Sequence, residues 1–452
     1  MTSPVDSLSK SLALALLLGG LASCASYNVR TAHAQQDFRA GDFAGAIAEF
    51  SKTKVTGSEF LSGAEAGVAA MTAGDWDGAV QHLTRAADAA RDIEDTALLD
   101  PGSVGEELIS WVLNDTFSSY YGEGYERACL HACLGLAYLG QGNVEGLLVE
   151  VRRANKLLAA EESLYDTSYQ AGGLAHFLSA VGYELLGEPD NAYIDYRALE
   201  AKDVGGALVG KSLLRIADQL HRTEDLPAWR ARWGEPPTYP EGACPIILIG
   251  GVGMGPHKEE FRLEIPTGKG LLVWAVPTFV HETPYVTGLR LRAGDVVVDS
   301  VVLEDVGSVA EQNLDDRIAY LAAKSAVRAV MKKELARELG REHEAIGWIA
   351  GTLFALATER ADLRAWSTLP SQWHAARAYV APGEVEITLD ARGGEHLSLG
   401  RYALEPGETV FVLARTIGTR LHAHVLGGEL LADPNALPEF SGEGYDQPTL
   451  PE

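Results

Sequence analysis

The chain has 452 residues, 46% of them hydrophobic and 22% charged, which excludes a disordered polyelectrolyte and suggests about three folding units. Its 37 Lys and Arg against 63 Asp and Glu leave a net charge of −26, so a basic nucleic-acid-binding face is not expected. Four cysteines are too few for a disulfide-dense scaffold.

The first 24 residues hold one basic side chain, Lys10, followed by the apolar or small run Ser11 to Ala22. That run has the length of a signal-peptide core and is well short of the ~20 residues a spanning helix needs. It ends in Leu21-Ala22-Ser23-Cys24, which resembles the bacterial lipobox. The resemblance implies removal of residues 1–23 and lipidation of the Cys24 thiol, with a membrane anchor through the acyl chains. With Ala25 and Ser26 next, and no Asp beside the cysteine, it also implies sorting to the outer membrane, facing the periplasm. The alternative is a cleaved secretory signal in which Cys24 is incidental.

A repeat follows. Gly41-Asp42-Phe43 precedes Ala46 and Phe50. Gly74-Asp75-Trp76, 33 residues on, precedes Ala79, Leu83 and Ala86. Gly142-Asn143-Val144 precedes Leu147, Val151 and Ala154, and Gly187-Glu188-Pro189 precedes Ala192, Tyr196 and Leu199. Apolar helices are predicted before three of these turns, over Ala64 to Ala73, Ala128 to Leu139 and Leu174 to Leu186. The period near 34 and the alternation of small and large inward positions resemble tetratricopeptide repeats, whose hairpins stack because none buries its apolar face alone. A repeat domain is therefore placed over 24–235, with Trp111 to Gly124 interrupting it; a generic helical bundle is the alternative. Cys129 and Cys133, with His131 between them, fall short of a closed metal site and read as small buried residues of a helix pair.

Turn formers at Gly234-Glu235-Pro236-Pro237 mark a linker. Strands are predicted at Pro245 to Ile249, Phe261 to Ile265, Leu271 to Val276, Leu289 to Arg292 and Val296 to Leu303. A long helix over Ser308 to Leu339, capped by Ser308 with Glu311, and an uncharged helix over Ala345 to Ala357 form an insertion at 308–358. Strands resume at Trp373 to Val380, Val385 to Leu389, Thr409 to Ala414 and Leu421 to Leu426. The expected fold class is α+β: an N-terminal helical superhelix, then an antiparallel β domain over 243–430 with a helical insertion, then an acidic tail at 431–452.

Candidate chemistry is sparse. Gly250 to Lys258 is glycine-rich, but Pro256 removes a backbone donor and no Ser or Thr follows Lys258, so it reads as a strand-connecting loop and not as a phosphate cradle. His422-Ala423-His424 puts two imidazoles on one strand face without an adjacent third ligand. Neither Gly-x-Ser-x-Gly nor His-Glu-x-x-His occurs. Asp362 and Arg364, beside Trp366, read as a buried ion pair pinning the end of the insertion to the sheet, with ligand recognition as the alternative.

Several blocks together resemble a family of bacterial envelope lipoproteins with tetratricopeptide-like repeats. They are Tyr121 to Arg127, Val149 to Asn155, Ala192 to Arg197, Gly255 to Lys258 and Ala361 to Pro370. The resemblance implies a periplasm-facing lipoprotein working beside other envelope proteins, and it carries over no catalytic residue. The reading that follows is an outer-membrane adaptor without cofactor or metal. It would be held to the membrane by Cys24 and offer a helical groove to a periplasmic or envelope protein partner, with Lys258, Asp362, Arg364 and Trp366 as candidate binding or structural residues. The alternative is a carboxylate-dependent enzyme acting on cell-wall glycan or peptide in an interdomain cleft.

Overall fold

The computed structural model describes residues 27–99, 120–165, 171–267, 270–317 and 362–432. Cys24 and the leader, the segment 111–119, the uncharged stretch 345–357 and the tail 433–452 lie outside them. Helices fill the N-terminal half: α1 (Tyr27–Ala40), α2 (Phe43–Phe50), α3 (Thr53–Thr56), α4 (Glu59–Ala73), α5 (Trp76–Leu99), α6 (Gly124–Gly140), α7 (Val144–Tyr165), α8 (Gly173–Leu185), α9 (Pro189–Ala201), α10 (Gly206–Gln219) and α11 (Leu226–Trp233).

Five of the connections share one local chemistry. Gly41, Gly74, Gly142 and Gly187 all take left-handed φ values between 71° and 83°, where a side chain is disfavoured. The next residue's N–H then bonds back to the preceding helix, as Asp42 does to Asp37 O at 2.9 Å and Glu188 to Tyr183 O at 2.8 Å. At three of the turns an Asp or Asn side chain caps the new helix: Asp42, Asp75 and Asn143 accept from Gly45, Gly78 and Gly146 N at 3.0, 2.9 and 2.8 Å. The fifth turn falls at His221, 34 residues after Gly187. It has the same geometry, with φ 53° and Arg222 N bonded to Ala217 O at 2.9 Å, but no glycine marks it.

The positions assigned to the repeat interior are buried throughout: Ala46, Phe50, Ala79, Leu83, Ala86, Leu147, Val151, Ala154, Ala192, Tyr196 and Leu199. Small residues set the helix spacing. A Cβ on Gly63 of α4 would lie 2.4 Å from His82 O and 2.7 Å from Ala86 N of α5, closer than a side chain allows.

Strands fill the C-terminal part, in two five-stranded sheets and a β2–β3 ribbon. The first sheet has the order β11-β10-β1-β7-β6: β11 (Arg420–Leu426), β10 (Val410–Ile417), β1 (Cys244–Val252), β7 (Gln372–Val380) and β6 (Val301–Asp305). The second has the order β12-β9-β8-β4-β5: β12 (Glu429–Ala432), β9 (His396–Leu404), β8 (Gly383–Ala391), β4 (Leu289–Ala293) and β5 (Val296–Asp299). The ribbon pairs β2 (His257–Thr267) with β3 (Gly270–Val280).

Strand β1 decides the architecture. Ile246 and Leu248 face the second sheet and join Leu291, Ile387 and Leu389 in one core. Ile247 and Ile249 face the other way, into the core the sheet shares with the helices. A strand buried on both sides has no polar alternation, and such strands are the ones that pair in parallel. Here β1 runs parallel to β10, Ile246 against Val410 and Ile249 against Leu413, and the first sheet is mixed where an antiparallel one was expected. The predicted Val296 to Leu303 strand is two strands: β5 pairs with β4, and β6 pairs with β7 in the other sheet. The chain changes sheets at Ser300, whose hydroxyl accepts from Leu289 N at 2.9 Å. The helix predicted from Ser308, α12, is described over 306–317, and its cap is Asp305, which accepts from Ser308 N at 2.9 Å.

If Ala79 marks a close helix contact, Ala79→Leu overpacks the α4–α5 hairpin and lowers unfolding stability by about 1–3 kcal/mol. Urea denaturation of the full chain checks this. An unchanged midpoint would show that the hairpin has room to spare.

Candidate functional site

The sequence-predicted residues meet where the helices close on the first sheet. At the start of α6, Glu123 is the N-cap and Glu126 completes a capping box, accepting from Glu123 N at 2.9 Å. The same Glu126 carboxylate accepts from Tyr120 Oη at 2.5 Å and Tyr125 Oη at 3.4 Å, and reaches across to Trp366 N at 2.7 Å. One helix pair earlier, Glu65 of α4 takes the next two residues. It accepts from Ser367 N and Oγ at 2.8 and 2.7 Å and from Thr368 N at 2.9 Å, and the Tyr27 hydroxyl of α1 also donates to it. Three successive backbone N–H groups are thus held by two fully buried carboxylates.

The carbonyls of the same segment are held from the other side. Arg415 of β10 donates to Thr368 O at 3.1 Å, Leu369 O at 3.4 Å and Thr416 O at 2.9 Å, and its Nη1 also reaches Gly253 O. Trp366 is buried between these groups. Its indole donates to Thr368 Oγ1 at 3.1 Å, and its ring meets Phe60 edge-on at 6.3 Å.

Lys258 is 2% exposed and donates to Glu123 at 2.6 Å; Arg317 of α12 pairs with the other oxygen of Glu123. The Lys258 ammonium lies 5.9 Å from the centre of the Tyr120 ring, and the Arg364 guanidinium lies 5.0 Å from the same ring. Lys258, Arg364 and Trp366 therefore converge on Tyr120 and Glu126. Asp362 does pair with Arg364, at 2.8 Å, and accepts from Arg364 N at 2.9 Å. Its side chain is 47% exposed, however, so the expectation of a buried ion pair fails. The pair is a turn whose carboxylate side faces solvent and whose Arg364 guanidinium is held over Tyr120.

Burial pushes the Glu65 and Glu126 carboxyls above the usual range, against the donors that favour the charged form. Burial acts on Glu123 too, but the Arg317 and Lys258 charges outweigh it and hold that carboxyl far below the usual range. Every Glu65 and Glu126 oxygen accepts from a protein donor, so this arrangement clamps backbone and offers no free oxygen for acid–base work.

Three further ties cross the same boundary. Arg377 of β7 is buried and reaches Glu184 of α8 at 3.1 Å and Tyr196 Oη of α9 at 3.0 Å. Glu304 of β6 accepts from Leu174 N at 3.2 Å. His424 bonds Thr72 O at 3.0 Å and packs edge-on against Trp76, while His422 packs edge-on against Phe43. His424 is thus spent on the helices by a hydrogen bond and His422 by its ring contact alone, and no cluster of three metal-ligating side chains occurs among the described residues. Cys129 and Cys133 are buried free thiols, and His131 is buried between Glu94 and Glu150.

Glu65 was missed by motif reading, although it is the lone charge between Glu59 and Asp75 in an Ala- and Gly-rich helix. Such an isolated acid is the available signal for a buried acceptor.

No family model matches the sequence, and no curated protein matches it. Among solved structures the chain is similar to one titled "Crystal structure of MamA protein", with 16% identity and a TM-score of 0.30 over 46% of this chain and 88% of that chain. A likeness so loose says nothing of function.

Glu65→Gln places an amide N–H₂ against backbone donors and costs about 1–3 kcal/mol. At Glu65 the folded state keeps its proton to a higher pH than the unfolded chain, whose value is about 4.3, so this group's contribution to stability falls as pH rises through the raised Glu65 value. The variant lacks this titration, so the stability gap narrows as pH rises above about 4.3 through that raised value. Urea midpoints across that range check it, and a gap that widens with pH would contradict the raised carboxyl.

Proposed function

We propose that the protein is a non-enzymatic adaptor: an outer-membrane lipoprotein, anchored through Cys24 and facing the periplasm, that offers a tetratricopeptide-like helical surface to an envelope protein partner. The supporting observation is a row of equivalent exposed positions. Seven residues past each turn stand Ala48, Gln81, Val149, Ile194 and Ala228, all exposed. Val149 and Ile194 are 60% and 64% exposed, large apolar side chains left to solvent at matching places on α7 and α9. One exposed apolar residue needs no explanation; a repeated one in register marks a contact surface.

The clamp supports the same reading. It welds the helical half to the sheet, so the helical surface is presented on a rigid base. The enzyme alternative draws no support from this junction: among the described residues, Glu65 and Glu126 are engaged by protein donors at both oxygens, and Glu123 is paired with Lys258 and Arg317.

Tyr27, three residues after Cys24, is buried in the body of the protein. An extended chain covers about 3.5 Å per residue, so a lipid on Cys24 keeps the start of α1 within about 10 Å of the bilayer. No helix among the described residues is long and apolar enough to cross a membrane.

Two measurements test this. Cys24→Ala is expected to release the protein from membranes or leave it unprocessed; unchanged lipid labelling of the variant would end the anchor reading. In crosslinking from intact membranes, Val149→Glu with Ile194→Glu is expected to lose the partner while melting as wild type does. An unchanged crosslink would remove the α7–α9 row from the interface.

A further inference from the structure

The β2–β3 ribbon is a two-stranded sheet of its own, with strands of 11 residues each. Its base is seated in the body. Lys258 is buried against Glu123, and Phe279, opposite Lys258, meets Tyr125 edge-on at 6.4 Å. At Phe261 the ribbon has reached solvent: that side chain is 54% exposed.

The register sorts the residues by face. Residues directly opposite each other in an antiparallel pair share a face, and so do alternate residues along a strand. Phe261 stands opposite Val276, Leu263 opposite Trp274 and Ile265 opposite Leu272. These positions are all apolar, while the other face takes Arg262 and Glu264. A lone two-stranded ribbon is marginal in water, and a continuous apolar face marks a contact surface.

The place of the ribbon on the molecule points to the partner. Asn28, at the start of α1, donates to Lys258 O at 3.1 Å, and Arg39, near the end of α1, donates to Glu282 at 3.0 Å. The way from Glu282 to Lys258 is thus the way from the end of α1 to its start, and the ribbon continues it outward. It leaves the body on the side of the α1 N-terminus, where Val29 is also exposed, at 66%. Asn28 is four residues after Cys24, a tether of about 14 Å, whereas the strand from Lys258 to Thr267 spans about 30 Å. With Cys24 in the bilayer, the ribbon outreaches the tether and meets the lipid. Its composition suits that contact. Residues Ile265 to Val280 carry one charge, Lys269, in a chain of net charge −26, so this stretch escapes the repulsion that an acidic surface meets at an anionic bilayer. Tryptophan, as at position 274, favours the edge of a bilayer.

We propose that the β2–β3 ribbon is a second membrane contact, with Phe261, Leu263, Ile265, Leu272, Trp274 and Val276 on the face that enters the lipid surface. This rests on the Cys24 anchor for the side on which the bilayer stands. A lipid tether alone leaves the body free to swivel; a tether and a ribbon fix which way the helical surface faces.

The test is tryptophan emission of the whole chain, purified from membranes and reconstituted in vesicles of phosphatidylethanolamine with phosphatidylglycerol as the minor lipid. Half of each preparation carries brominated acyl chains, which quench tryptophans inside the bilayer. Wild type is expected to be quenched, and Trp274→Phe, which keeps the apolar face, to lose most of that quenching. Leu272→Asp leaves Trp274 in place and is expected to weaken the quenching too, while melting as wild type does. Lipid labelling of the same preparations reports the anchor separately. Labelled protein whose quenching survives Trp274→Phe would keep the anchor and overturn the ribbon contact. Unlabelled protein whose quenching is lost in Trp274→Phe would end the anchor and uphold the ribbon contact. An unquenched wild type would mean that protein, from this chain or a partner, covers the face, and would overturn the proposal.

Discussion

Three consecutive backbone N–H groups, those of Trp366, Ser367 and Thr368, are the constraint on which the rest of the structure depends. They belong to a stretch that enters the first sheet through β7 but lies in a core made mostly by helices. Buried there without acceptors, each would cost about 1–3 kcal/mol. Glu65 and Glu126 supply the acceptors from α4 and α6, and Arg415 supplies donors to the carbonyls that follow. Holding two carboxylates away from water is itself unfavourable, and the raised carboxyls of both register that cost. The arrangement is therefore all or nothing: removing one partner exposes the desolvation of the other.

This explains why the helices and strands share one core although they come from separate halves of the chain. The last helix of the N-terminal half, α11, ends at Trp233 and β1 begins at Cys244, as the proline- and glycine-rich stretch between them suggests. Yet β1 sends Ile247 and Ile249 into the helical core and Ile246 and Leu248 into the sheet core. The first sheet is a middle layer, with helices on one face and the second sheet on the other. A layer of that kind transmits a pull on the helices to the sheet and the reverse, which suits a rigid adaptor better than two beads on a linker.

Local features were legible in the sequence because they rest on local chemistry. Gly41, Gly74, Gly142 and Gly187 announce left-handed turns, and the apolar residues five beyond, Ala46, Ala79, Leu147 and Ala192, announce the buried face. The turn at His221 escaped because its φ of 53° is borne by a side chain that gives no signal. Strand β9 escaped although His396-Leu397-Ser398-Leu399 alternates polar and apolar as a strand does; none of those four residues is buried. The parallel β1–β10 pair and the sheet change at Ser300 escaped for a deeper reason: each is set by what packs on the far side, which lies more than a hundred residues away for β10. At the junction, Lys258, Arg364 and Trp366 are singled out by their segments; of the acids that organise them, Glu65 gives only the signal of an isolated charge in an apolar helix, and neither Glu65 nor Glu126 names its partner 240 or more residues away. Asp362 reads as buried because it stands with Arg364 beside Trp366, where the insertion returns to the sheet; the turn it makes with Arg364 instead turns it outward.

The most direct measurement is native-state amide hydrogen exchange at Trp366, Ser367 and Thr368 in the full chain. If two helical carboxylates clamp these groups, the three amides exchange only through global unfolding, as slowly as the β1 core, and Glu65→Ala speeds Ser367 and Thr368 selectively. Exchange at the rate of an open loop in the wild-type protein would contradict the clamp and, with it, the single rigid body built on it.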